Sequence, residues 1–308
     1  MRLYIAGING MVGSAVAEEA KKQGHEILGK SSKELDLTNR EAVFAEMKSV
    51  KPDALVIAAA KVGGIGANST FPVDFLSVNL QIQTNLLDAA HAADIERVLF
   101  LGSSCIYPKF APQPIPESAL LTGELEPTNE PYAIAKIAGL KLVEAYRKQY
   151  GHKWISAMPT NLYGPRDNFD LESAHALPAL IHRFHNAKVN NLTEVAIWGD
   201  GYPMREFLYV EDLAKACLKL MADYDDSVAI NIGSSQELSI TDLAKTIADV
   251  IGYKGKIVLD SSKPNGTPRK LLNSGKIHLL GWEAQIDLRN GIEKTYDWFI
   301  NNNAKGSI

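Results

Sequence analysis

Leu3-Tyr4-Ile5-Ala6-Gly7-Ile8-Asn9-Gly10-Met11-Val12-Gly13 is the stretch that decides how the rest of the chain is read. The apolar run Leu3 to Ala6 predicts a short buried strand, the glycines a tight turn, and the spacing from Ser14 to Gln23 a helix. A glycine turn between a first strand and a first helix lets backbone approach a pyrophosphate closely. The helix N-terminus behind it offers unbonded N–H groups and the positive end of a dipole. Gly7, Ile8, Asn9, Gly10, Met11, Val12 and Gly13 are therefore candidate contacts for a dinucleotide.

Outward from this turn, Glu26 to Leu28, Ala54 to Ala59, Val98 to Leu101 and Trp154 to Met158 predict further strands. Helical spacing runs over Asp74 to Ala93 and Tyr132 to Tyr150. The alternation predicts βαβ units, and hence an α/β fold: a Rossmann-type doubly wound parallel sheet with a smaller C-terminal substrate-binding α/β lobe. Gly164-Pro165-Arg166-Asp167-Asn168 reads as a loop leaving the sheet, and Phe207-Leu208-Tyr209-Val210 and Ile230 to Ile232 as strands returning to it. The expected cofactor domain is thus 1–164 plus a returning segment at about 205–232, with 165–204 and 233–308 forming the substrate lobe. Within that lobe Ser262 to Pro268 reads as a loop, Ile286 to Asn301 as a covering helix, and the last few residues as a frayed tail.

A length of 308 residues accommodates both parts, and 46% hydrophobic with 22% charged residues is ordinary for a globular enzyme. A net charge of −4 and a pI near 6.0 give no field that draws nucleic acid or an anionic membrane, so neither is an expected partner. Local arginines and lysines would have to hold an anionic substrate. Cys105 and Cys217 lie too far apart in sequence to build a disulfide framework or a metal site, and a cytoplasmic location is expected. The leading apolar stretch is interrupted too soon for a signal peptide, and no apolar run approaches a membrane span.

The second strand ends in Leu28-Gly29-Lys30-Ser31-Ser32-Lys33, with no acid before Glu34. NAD-specific sites place an acid there to accept from the ribose 2′-hydroxyl. Lys30, Ser32 and Lys33 suit a 2′-phosphate instead, so NADP(H) is the expected cofactor.

Tyr132 and Lys136 stand four apart at the start of a predicted helix, which puts phenol and ammonium on one face. Of the eleven tyrosines, only Tyr132 has a lysine four residues later. The ammonium and an oxidised nicotinamide are expected to lower a phenol pKa that is ordinarily near 10. Ser103, at the end of the preceding strand, would hydrogen-bond the oxygen under attack and polarise it.

The longer motifs extend the reading. Gly102-Ser103-Ser104-Cys105-Ile106-Tyr107-Pro108-Lys109, the segment Leu125 to Lys136, Pro159-Thr160-Asn161-Leu162-Tyr163-Gly164-Pro165, Pro203 to Leu208, Lys263 to Lys270 and Ala59 to Ile65 together resemble the GDP-L-fucose synthase family. The resemblance covers nearly the whole chain, and the GxxGxxG spacing at Gly7, Gly10 and Gly13 is that of the extended short-chain dehydrogenases/reductases. It implies conversion of GDP-4-keto-6-deoxy-D-mannose to GDP-L-fucose, by epimerisation at C3 and C5 followed by NADPH reduction at C4, in a homodimer. It implies Cys105 as base and His175 as acid, a thiolate and an imidazolium each expected to support the other. It places Leu101, Gly102, Ser103, Ser104, Lys136, Pro159, Thr160, Asn161, Leu162 and His175 around the cofactor. Arg183, Trp198, Arg205, Asn265 and Arg269 are the implied substrate contacts. Sugar-nucleotide dehydratases of similar fold carry an Asp-Glu pair where Ser104 and Cys105 stand, so dehydration is not expected. A relative that only epimerises or only reduces, or that takes a dideoxy or heptose analogue, stays open, as does an NADP-binding sensor without catalysis.

Overall fold

The computed structural model describes residues 1–263 and 265–302. In the first half β1 (Arg2–Ala6) passes through the glycine turn into α1 (Met11–Lys22), followed by β2 (Glu26–Leu28), α2 (Arg40–Val50), β3 (Ala54–Ile57) and α3 (Ile65–Thr70). A π-helical turn over Asp74–Val78 then runs without a break into α4 (Asn79–Ala92), ahead of β4 (Arg97–Leu101), α5 (Glu130–Tyr150), β5 (Ile155–Pro159) and β6 (Asn161–Tyr163). The second half holds α6 (Ala176–Val189), β7 (Glu194–Trp198), β8 (Met204–Tyr209), α7 (Val210–Asp223), β9 (Ile230–Ile232) and β10 (Glu237–Ser239). It ends with α8 (Ile240–Ile251), β11 (Lys256–Asp260), β12 (Arg269–Lys270), α9 (Gly275–Leu279) and α10 (Leu288–Asn302).

The main sheet has six parallel strands in the order β2-β1-β3-β4-β5-β9. Its strands are apolar runs because helices cover both faces. Leu3, Ile5, Val56 and Leu99 pack with α1 and α7, while Tyr4, Leu55, Ile57 and Phe100 pack with α2, α4 and α5. The strand order turns back between β1 and β3, and a crevice opens there beyond the carboxyl ends of the strands.

Phe207-Leu208-Tyr209-Val210 does not return to the main sheet; β8 is the centre of a second sheet, antiparallel to β10 and parallel to β12 and β6. Only β9 returns. The cause lies in the strand's alternation: Leu208 faces the first core, whereas Phe207 and Tyr209 face a third core built with α6, α8 and α10. An apolar run shows that both faces are buried but not in which sheet. Likewise Ile277 and Trp282, from the segment after Gly233, pack into the first core. The covering helix is present as α10, burying Ile292 and Phe299. Pro264, within the predicted loop, and residues 303–308, the predicted tail, lie outside the described residues. Among the described residues no helix is long and apolar enough to cross a membrane.

Candidate active site

The crevice opens into a cavity of about 880 Å³ that runs from the glycine turn to β12. Gly7 has φ +88°, and a Cβ there would lie 2.8 Å from the Ala59 nitrogen. A Cβ on Gly13 would sit 2.1 Å from the Gly7 carbonyl oxygen. Gly10 caps α1 without a side-chain bond, and no acid occupies the first helical turn. A bare, positively polarised helix end against closely packed backbone fits a dinucleotide pyrophosphate. At the end of β2, Lys30 and Ser32 line the same cavity, with the Lys30 ammonium paired to Glu46 on α2. Glu34 is occupied within its own turn, its carboxylate accepting from the Ser31 nitrogen at 2.8 Å and hydroxyl at 2.6 Å.

Ser103 lies two residues past β4 and caps the short helical turn Ser104–Ile106, its Oγ accepting from the Cys105 nitrogen at 3.3 Å. Tyr132 and Lys136 lie in the first turns of α5. Lys136 Nζ donates to the Leu101 carbonyl at 2.8 Å and sits 6.0 Å from the centre of the Tyr132 ring. With 4% of its surface exposed, its pKa is lowered by burial to about 8. The sequence reading expects the ammonium and an oxidised nicotinamide to lower the Tyr132 pKa, and the protein's own packing acts the other way. Burial removes the phenolate's solvation and nearby Cys105 adds to the rise, while a hydrogen bond from Ser103 opposes it. A phenol held protonated is the form that can give up a proton.

Cys105 Sγ lies 3.3 Å from Lys270 Nζ and 3.5 Å from Asn129 Nδ2. Burial alone would push this thiol up. Lys270, hydrogen bonding and Arg205 outweigh it and hold the thiol below its ordinary value. His175 precedes α6 and faces the same cavity. His175 is exposed to the cavity, and the surrounding wall, then the charge of Lys270, push its pKa below the ordinary imidazole value. The cation within hydrogen-bonding distance of the sulfur is Lys270.

Toward the far end, the Arg183 guanidinium on α6 stands 5.2 Å from the Trp198 ring centre, with Lys263 Nζ at 5.5 Å. Arg205, on β8, donates to the Met204 carbonyl at 2.9 Å. Asn265 is tied to Asp200, accepting from its nitrogen at 3.0 Å and donating to its carboxylate at 2.8 Å. Arg269 falls outside the cavity and is bonded to Glu237, with Nε 2.8 Å from Oε2. Neighbours on a strand point to opposite faces, so turning Lys270 inward turns Arg269 out.

Residues 3–233 match the NAD dependent epimerase/dehydratase family. GDP-L-fucose synthase 1 of Arabidopsis thaliana is 54% identical over 302 residues, spanning 98% of this chain and 94% of that protein. GDP-L-fucose synthase of Escherichia coli (strain K12) is 50% identical over 311 residues, spanning 98% and 97%. The chain belongs to the GDP-L-fucose synthase family. A GDP-L-fucose synthetase from Naegleria fowleri, solved bound to NADP, superimposes with a TM-score of 0.89 at 29% identity, covering 98% of this chain and 94% of the other.

In this GDP-L-fucose synthase family member one cavity gathers most of the residues singled out in the sequence. Its wall includes the three motif glycines with Met11 and Val12, then Ser103, Cys105, Tyr132, His175 and the segment Pro159 to Leu162. Ile8, Asn9, Lys33, Leu101 and Lys136 are not on that wall. Ile8 packs against the first core, and Leu101 and Lys136 act from behind through their mutual bond. Sequence reasoning missed Lys270, Asn129, the segment Asp36 to Thr38 and Asp167. Asp167 Oδ1 accepts from the Asn168 nitrogen at 2.8 Å, its Oδ2 is buried without a partner, and burial raises its pKa to about 7. Lys270 and Asp167 both stood inside quoted motifs, but nothing in their spacing showed that they face the site.

Proposed function

We propose that the chain is a bifunctional epimerase-reductase that converts GDP-4-keto-6-deoxy-D-mannose to GDP-L-fucose using NADP(H). The observation that carries this reading is one cavity holding two separate proton-moving sets: Ser103 with Tyr132 backed by Lys136, and Cys105 with His175 beside Lys270. A reductase alone needs only the first set.

The C4 carbonyl makes the hydrogens at C3 and C5 acidic. The Cys105 thiolate removes one such proton, and Ser103 and Tyr132 bond the oxygen on which the enolate charge gathers. His175 returns a proton to the opposite face. Its surroundings in the protein favour the neutral imidazole, and the approach of an anionic substrate favours the protonated form. The bound cofactor supplies the hydride that reduces C4. Tyr132, held protonated by burial, gives its proton to the resulting alkoxide. Lys136, its ammonium directed at the Leu101 carbonyl, fixes the face of α5 that carries the phenol. Arg183 and Arg205 suit the diphosphate, and Trp198 offers a face to the base.

The cofactor part is proposed as 1–164 plus a returning segment at about 205–232, and the substrate lobe as 165–204 and 233–308. The glycine turn in the first and Arg183 with Trp198 in the second support that division, although β8 pairs within the second sheet. A homodimer in the cytoplasm is proposed from the resemblance, and sedimentation of the purified protein tests the dimer.

Deuterium uptake from deuterated water at C3 and C5, followed by mass spectrometry beside NADPH consumption, separates the two chemistries. Cys105→Ser leaves almost no conjugate base at neutral pH, so exchange is expected to collapse. Slow C4 reduction of unepimerised sugar persists. Tyr132→Phe is expected to keep taking up deuterium while forming little alcohol. Exchange at the wild-type rate in Cys105→Ser removes the cysteine from the epimerisation.

A further inference from the structure

By resemblance Cys105 works with a histidine, yet the charged group within hydrogen-bonding distance of its sulfur is a lysine. We propose that Lys270 is the positioning residue for Cys105, its ammonium keeping the sulfur as thiolate and fixing where it stands against the substrate. This rests on the reading of Cys105 as the epimerisation base.

The geometry of β12 supports it. Lys270 Nζ is 3.3 Å from Sγ, and Lys270 pairs in register with Arg205 on β8, so two cations reach the sulfur from neighbouring strands. The short strand is anchored just past Lys270. The Leu271 nitrogen donates to Gln113 Oε1 at 3.0 Å, and the Leu272 nitrogen to the Glu206 carboxylate at 3.1 Å. The remaining groups facing the sulfur are the Ser103 hydroxyl, the Asn129 amide and the Tyr132 phenol, none of them a cation. Glu126, the acid that faces Arg205, is itself paired with Lys109 at 2.8 Å. At His175, after desolvation, the charge of Lys270 also disfavours the protonated imidazole. One ammonium thus favours opposite charge states in the two groups: an ionised thiol and an unprotonated imidazole.

The test is the pH profile of Cys105 alkylation by iodoacetamide in the full chain. Cys105→Ser serves as the blank, since the second cysteine, Cys217, is buried with its thiol pushed up to about 12. The wild-type midpoint is expected below the ordinary thiol value. Lys270→Met moves it up and slows alkylation at neutral pH by about tenfold or more, the effect of losing an opposite charge at this range. Lys270→Arg restores most of the rate, and deuterium exchange falls in step with the thiolate fraction. If Lys270→Met fails to fold, Lys270→Arg and Lys270→Gln give the same comparison of charge at similar length. An unchanged profile with only a raised KM for the nucleotide sugar makes Lys270 a substrate ligand and overturns the proposal. Normal exchange in Cys105→Ser overturns the base assignment instead, while the alkylation profile still judges Lys270.

Discussion

The ammonium of Lys136 is held by one backbone carbonyl in a place water scarcely reaches, and that has a measurable consequence. Folding lowers its pKa from 10.5 to about 8. Below that window the lysine is protonated in both states, and folding carries the full cost of burying its charge. Within the window the unfolded chain holds the proton and the folded chain does not, so this contribution to stability rises with pH. Lys136→Met is expected to abolish that rise. Denaturant unfolding of both proteins across the window checks it, and curves that stay parallel would show that the ammonium is not desolvated. At Tyr132 the expectation is kinetic. Tyr132→Phe removes the proton donor, so reduction falls by about 10²–10⁴, while cofactor affinity measured by fluorescence titration hardly changes.

At the scale of an element, the end of β2 sets the choice of cofactor. Lys30 and Ser32 face the cavity, while the Glu34 carboxylate is taken up by Ser31. Catalytic efficiency with NADPH is expected to exceed that with NADH, and Lys30→Glu with Lys33→Glu to narrow the gap. A wild type that prefers NADH would contradict this account of the turn. Such elements were legible in the sequence because their signals are contiguous: a glycine turn between strand and helix, a phenol and an ammonium four residues apart. β8 and β12 were not. The apolar run at Phe207 does not say which sheet receives it, and β12 is a two-residue strand defined only by its partner. Lys270 was missed for the same reason, since no local spacing relates a residue near the C-terminus to Cys105. At Tyr132 a sequence shows the charge four residues away and not the burial that acts against it.

Across the whole molecule, one buried carboxylate ties the sheets together around the cavity. Glu206 on β8 has 0% exposure. Its Oε1 accepts from the Ser235 nitrogen at 2.7 Å, just beyond β9 of the main sheet, and its Oε2 from the Leu272 nitrogen at 3.1 Å, just beyond β12. Its backbone carbonyl accepts from Asn161 Nδ2 at 2.7 Å, where β5 passes into β6. Burial raises the pKa of this acid and the backbone donors pull it back, as for a charge held by the N–H groups around it. Glu206→Gln keeps the shape and sets an amide donor against one of those N–H groups. Losing a hydrogen bond to a charged group costs about 1.5–3 kcal/mol. For a chain of this size that lowers the melting temperature by roughly 2–5 °C. Because Leu272 lies two residues past Lys270, loosening it is also expected to move the ammonium away from Cys105 and slow alkylation of the thiol at neutral pH. Calorimetry and iodoacetamide kinetics on the same preparation check both parts. A lower melting point with unchanged thiol reactivity would confine Glu206 to holding the sheets together. Loss of both would tie the base's charge to the join between the sheets.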